Sequence, residues 1–352
     1  MSEFLRDELK GRTAYGAPQL DVAVRLNTNE NSYPLPSDVA DAVEKALSDE
    51  LRGLNRYPDR DAVALREDLA RYLGVAPERV WAANGSNEIQ QQLLQAFAGP
   101  GRTALGFGPA YSMHPLLALG TATTWVDGGR GPDFGLTAQH AVAQVKEHLP
   151  NVTFLCSPNN PTGTALSPDV VEAVLEQERG VVVVDEAYAE FRRPGMPTAI
   201  SLLDKHERLV VTRTMSKAFA FAGVRLGYMA AHPSIVEAVQ LVRLPYHLSS
   251  LTQAAARAAL AHSEALLGTV EAIKEQRDRI VDELRAGGWQ VADSDANFVL
   301  FGRFDDQKAA WQRLLDQGVL VRDVGLPGWL RVTAGTPEET SAFLGAMKGL
   351  RA

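Results

Sequence analysis

The sequence predicts an α/β protein, with a mainly parallel central sheet covered by helices on both faces and joined to a smaller α+β unit. Two observations predict it. Between residues 80 and 230 short apolar segments alternate with helical stretches, and several of these segments are β-branched and polar only at their ends. That is the pattern of strands buried on both faces of a parallel sheet. Beyond about residue 235 the pattern changes to long Ala/Leu/Glu/Arg-rich helices, and then to strand, helix, strand, helix between residues 289 and 350. This switch marks the second unit.

Residues 1–36 read as an N-terminal arm. The stretch GRTAYGAPQLDVAVRLNTNENSYPLP contains Pro18, Pro34 and Pro36, which interrupt regular structure, and an Asn-rich turn former. An extended arm of this kind must lie on something, either the small domain or a partner subunit. Residues 37–235 form the large domain. Its first helix is expected to start at Ser37 as N-cap, with Val39, Val43, Ala46 and Leu47 at helical spacing, and a second helix is expected over 61–73. Strands are expected at 80–83, 103–107, 123–126, 152–156, 181–184, 209–212 and 227–230. Residues 236–352 supply the long helix and the small C-terminal domain.

The 352 residues carry 35 Lys plus Arg against 43 Asp plus Glu, a formal net charge of −8. This balance argues against a duplex-coating nucleic-acid binder, which needs concentrated cations. The single cysteine, Cys156, cannot form an intramolecular disulfide, and the seven histidines show no metal-ligand spacing, so no metal site is expected. The start lacks an apolar signal segment and no run approaches a membrane span. The expectation is a cytoplasmic protein.

In open α/β sheets ligands gather at the C-terminal ends of strands. After 80–83 comes Asn84-Gly85-Ser86-Asn87, a glycine turn feeding a helix whose free amides suit a phosphate; taken alone, it reads as a capped helix. After 103–107, Tyr111 stands near the same edge. After 152–156 comes Ser157-Pro158-Asn159-Asn160-Pro161-Thr162-Gly163, a rigid turn carrying two amide side chains. Asp185 follows four valines, where a carboxylate is costly unless something cationic or protonated meets it, structural ion pairing being the plainer reading. After 209–212 comes Arg213-Thr214-Met215-Ser216-Lys217, with Arg225 eight residues on. A lysine at the end of a buried strand suits Schiff-base chemistry if it is partly desolvated. Amides, hydroxyls and an arginine for a phosphate, an acid for a ring nitrogen, Asn and Tyr for a phenolic oxygen and Lys for an aldehyde together describe pyridoxal 5′-phosphate.

These residues closely resemble the fold-type I pyridoxal-phosphate aminotransferases, and within them the histidinol-phosphate branch. YGAPQLDVAVRLNTNEN, NRYPD, NGSNE, PNNPTG, VVVDEAY, TMSKAFAFAGVRLGY, ANFVL and LRVTAGT occur in that family's order across nearly the whole chain. The resemblance implies that Lys217 is the Schiff-base lysine and the proton-moving base. It pairs Asp185 with the pyridine nitrogen, sets Asn160 and Tyr188 on the ring oxygen, and stacks Tyr111 on the ring. Gly85, Ser86, Asn87, Thr214, Ser216 and Arg225 would hold the cofactor phosphate. Tyr57 would reach that phosphate across the interface of a homodimer with shared active sites. Arg331 would bind the carboxylate of glutamate or the phosphate of the substrate, and Tyr15, Asn29 and Arg322 would line the substrate pocket. Departures from the family pattern are Ser32 at a usual proline, Asn87 at a common Asp and Ala110 at a common Thr; none removes a catalytic group.

The implied reaction is reversible amino transfer between L-histidinol phosphate and 2-oxoglutarate in L-histidine biosynthesis. Similar enzymes transaminate aromatic amino acids such as phenylalanine, and a related group decarboxylates threonine phosphate. Such domains also serve as ligand sensors behind a DNA-binding segment. Here the catalytic pattern begins within the first few dozen residues, and no such segment is expected.

Overall fold

The structure, a computed structural model, describes residues 2–350. An extended arm carrying strand β1 (Val24–Arg25) leads to helices α1 (Ser37–Glu50) and α2 (Val63–Leu73). The chain continues through β2 (Val80–Ala83), α3 (Ser86–Phe97), β3 (Thr103–Gly106), α4 (Met113–Gly120), β4 (Thr124–Asp127) and α5 (Ala138–His148). It then runs through β5 (Val152–Cys156), α6 (Pro168–Leu175), β6 (Val181–Asp185), β7 (Leu209–Thr214) and β8 (Gly227–Ala231). Helices α7 (Pro233–Val242), α8 (Ser250–Ala261) and α9 (Ser263–Ala286) precede β9 (Gln290–Val291), β10 (Phe298–Gly302) and α10 (Gln307–Asp316). Strands β11 (Val319–Leu320), β12 (Arg322–Asp323) and β13 (Trp329–Thr333) and helix α11 (Pro337–Lys348) complete it.

Several expected boundaries move, each for a local reason. Pro36, not Ser37, is the N-cap of α1, because its ring already sets φ at −54° and Ser37 is the first helical residue. Helix α2 begins at Val63, later than expected: Ala62 sits in the left-handed region, and the Asp59 carboxylate accepts from the amides of Asp61 and Val63. Strand 103–107 ends at Gly106, and strand 123–126 is displaced by one residue to Thr124–Asp127 because the Thr123 hydroxyl accepts from the Gly99 amide. Strand β7 runs on to Thr214, two residues beyond expectation.

The large sheet has the order β2-β8-β7-β6-β5-β3-β4, and only β8 runs against the others. Because successive side chains in a strand face opposite ways, Val182, Val184 and Val211 pack under α5 and α6, while Val183 and Val210 pack under α3, α4 and α7. Both faces are thus covered. The same alternation sends Asp185 and Thr212 to the α3/α4 face and sends Glu186 and Arg213 to the other. Asp185 is in register with Cys156 on β5 and Thr212 on β7, which lines up three strand ends beneath one cleft.

A second sheet, β12-β13-β10-β9, is antiparallel. The arm joins the C-terminal part: β1 pairs in parallel with β11, and the Thr333 amide donates to Leu26 O at 2.9 Å. Leu26 is fully buried. These bonds carry Asn27, Thr28 and Asn29 across the mouth of the cleft. Among the described residues no helix is long and apolar enough to cross a membrane, and no group of His, Cys, Asp and Glu could hold a metal ion.

Candidate active site

A cavity of about 580 Å³ opens between the C-terminal edge of the large sheet, the arm and the second sheet. Its wall contains every site residue expected from the sequence except Gly85 and Tyr57. Helix α3 starts at Ser86 with no side chain capping it, so its first amides point open into this cavity. Gly85 lies behind them at φ +83°, and a Cβ there would stand 2.7 Å from Nη2 of Arg225. A Cβ on Gly227 would collide with the Ser86 amide. Both glycines therefore let backbone and guanidinium close up around one small volume. The hydroxyls of Thr214 and Ser216 lie 3.0 Å apart, and Arg225 Nη1 donates to Ser216 Oγ at 3.2 Å. Backbone amides, two hydroxyls and an arginine make this an oxyanion cradle.

At the end of β6, the strand next to β7 in the middle of the sheet, Asp185 is 2% exposed. The expectation was that something cationic or protonated would meet it. Its partners in this chain are Gln90 Nε2 at 2.9 Å, Thr212 Oγ1 at 3.3 Å and His114 Nε2 at 3.2 Å. His114 is stacked on Phe154 with ring centroids 4.6 Å apart. Among the described residues no lysine or arginine pairs with Asp185, so a hydrogen-bonded buried carboxylate faces the cavity with capacity for a further proton-bearing partner.

Lys217 follows β7 in a turn, and its Nζ donates to Thr28 O of the arm at 2.9 Å. Burial pushes its pKa down to about 8, helped by the positive charges of Arg331 and Arg225. Tyr111 donates no charge here: burial pushes its phenol up to about 12, and Asn87 Nδ2 donates to its oxygen at 3.3 Å. The Tyr188 hydroxyl accepts from Asn29 Nδ2 at 2.9 Å and Asn160 Nδ2 at 3.4 Å, and burial raises its pKa.

Arg331 is 7% exposed; its Nη1 donates to Asn160 Oδ1 at 2.6 Å and its Nη2 to Asn27 O at 2.9 Å, while Nε is buried without a partner. Arg322 stands directly opposite Arg331 in the β12–β13 register. Like charges at facing positions repel, so the pair is suited to an anion between them. Arg322 meets no carboxylate. It donates to Gly16 O and lies 5.9 Å over the Tyr15 ring. Tyr57, 79% exposed, lies outside this cavity, stacked on Tyr246 with centroids 4.4 Å apart.

Sequence reading missed Gln90, His114, Asn27 and Thr28. Gln90 could have been found as a polar residue on the apolar face of α3, four positions after Ser86. His114 stands three positions after Tyr111, on the helix between β3 and β4.

The chain matches the family described as aminotransferase class I and II over residues 22–347. A histidinol-phosphate aminotransferase of Frankia casuarinae is 65% identical, with 97% of this chain and 89% of that protein covered. One of Thermobifida fusca is 62% identical, covering 97% of this chain and 94% of that protein. Among solved structures, the histidinol-phosphate aminotransferase of Sinorhizobium meliloti in complex with pyridoxal-5′-phosphate superposes with a TM-score of 0.84 at 24% identity, covering 94% of this chain and 92% of the other.

Proposed function

We propose, for a chain that belongs to the class I and II aminotransferases, reversible amino transfer between L-histidinol phosphate and 2-oxoglutarate, giving imidazole acetol phosphate and L-glutamate. The observation that carries this reading is the joining, in one cavity, of a desolvated lysine, an acid with no lysine or arginine partner among the described residues and two separate anion sites. Relatives of that name and near-full-length similarity select the substrate.

Pyridoxal 5′-phosphate is the cofactor, and the donor set fits it. The cradle at Ser86, Thr214, Ser216 and Arg225 takes a phosphate, Gly85 leaves the room that Arg225 needs, and Asp185 offers a carboxylate to a protonated ring nitrogen. When bound, the cofactor supplies an electron sink for the carbanion at the reacting carbon, provided its ring nitrogen keeps a proton. Asp185 holds that proton. Tyr111 would cover the ring face, and Tyr188 and Asn160 would bind the ring oxygen. Lys217 Nζ, with a pKa near 8, is a usable base close to neutral pH and moves the proton to and from the substrate carbon.

Arg331 and Arg322 bind the substrate anion, the carboxylate of glutamate in one half-reaction and the phosphate of histidinol phosphate in the other. Arg331 uses one N–H of Nη1 and one of Nη2 within the chain, which leaves further guanidinium donors for the anion. Tyr15 and Asn29 close the pocket from the arm. The active unit is a homodimer in which the exposed Tyr57 of each protomer completes the phosphate site of the other, and its place is the cytoplasm.

The test is Lys217→Ala. It should abolish steady-state glutamate formation from histidinol phosphate and 2-oxoglutarate and leave no borohydride-trappable link to the cofactor. Unchanged turnover would refute the assignment.

A further inference from the structure

Gln90 has no role in the chemistry described above, yet it is fully buried and touches Asp185. Its Nε2 donates to Asp185 Oδ2 at 2.9 Å, and Thr212 Oγ1 lies 3.4 Å away. Its Oε1 is buried with no partner at all. An orphaned buried carbonyl carries a desolvation cost, so simple packing would be better served by an apolar side chain, as at the neighbouring buried Ile89 and Leu93. Turning the amide over would bring Oε1 against the Asp185 carboxylate, which repels it. The amide is therefore fixed with its N–H on the acid.

Gln90 also stands four residues after Ser86, one turn along the same face of α3. We propose that Gln90 is a positioning residue for Asp185, and that through it the helix presenting amides to the cofactor phosphate also sets the acid at the ring nitrogen. This rests on the reading of the cavity given above. The amide donor hydrogen-bonds Oδ2 of Asp185 and fixes the orientation of the carboxylate. The titratable groups facing the same carboxylate are His114 on α4, Tyr111 ahead of it and Cys156 on β5.

The test compares wild type with Gln90→Met, which keeps an unbranched chain of similar length without the donor, and with Gln90→Glu, which replaces the donor by an acceptor. Apo-protein is titrated with pyridoxal phosphate by fluorescence quenching, and kcat and KM are measured on the loaded enzyme. In Gln90→Met the Kd for the cofactor should rise about tenfold. Its kcat should fall with KM for the amino donor little changed. Gln90→Glu should bind more weakly still, because an acceptor then stands where the donor to Asp185 Oδ2 was and pushes the carboxylate out of place. Variants whose cofactor affinity matches wild type, or whose kcat and KM shift together, overturn the proposal, because that would make Gln90 a packing residue. Wild-type protein that neither binds the cofactor nor transaminates would refute the underlying reading instead.

Discussion

Lys217 should weaken the apo-protein it belongs to. Its pKa falls from 10.5 to about 8 on folding. The unfolded chain holds the proton up to the higher value and the folded chain only below the lower one. The resulting penalty on folding is present in full below pH 8 and fades between pH 8 and 10.5. At about 1.4 kcal/mol per unit this amounts to at most ~3 kcal/mol. The side chain is only partly buried in the cleft, which reduces the figure. Lys217→Met removes the penalty and also the bond from Nζ to Thr28 O, a loss of about 1 kcal/mol. The net expectation is an apo-protein more stable by about 1–2 kcal/mol at pH 7, with the gain absent at pH 10.5. Denaturant unfolding of both apo-proteins at the two pH values measures it. A variant no more stable than wild type at pH 7, or equally stabilised at both, would show that Lys217 is solvated and refute the reasoning.

Asp185→Asn should keep some cofactor but lower kcat by at least about 100-fold, since a neutral amide cannot hold the ring proton as well; near-wild-type steady-state kinetics would make Asp185 structural. Gly85→Ala meets both a left-handed backbone and Arg225 Nη2. Calorimetry should show a loss of about 1 kcal/mol, and titration a weaker hold on both the cofactor and free phosphate. Arg213→Met should cost about 3 kcal/mol in denaturant unfolding, because Glu186, 2% exposed, loses the guanidinium bonds at 2.8 and 3.1 Å.

The strand ends were readable because four-valine runs and glycine turns announce themselves within a few residues. What lies across from a strand end was not. Asp185 meets Gln90 and His114 because strand parity turns it towards α3 and α4, and that depends on where β6 stops. Ending the strand at 184 hides the fact that Asp185 is its last paired residue, opposite Cys156 and Thr212. Likewise, Pro18 and Pro34 mark residues 1–36 as irregular, but the bonds from Val24 and Leu26 to β11 are long-range contacts with no local signal. Thr28 touches Lys217 only because of them. Tyr57 was singled out through its motif alone, and within the single chain it lies exposed outside the cavity.

The most direct test of the central claim is a competition. Purified protein is given equal concentrations of histidinol phosphate and phenylalanine with limiting 2-oxoglutarate, and the two keto products are quantified. The account predicts imidazole acetol phosphate in at least about tenfold excess over phenylpyruvate, because only the former substrate presents a phosphate to Arg331 and Arg322. Phenylpyruvate as the main product would contradict it.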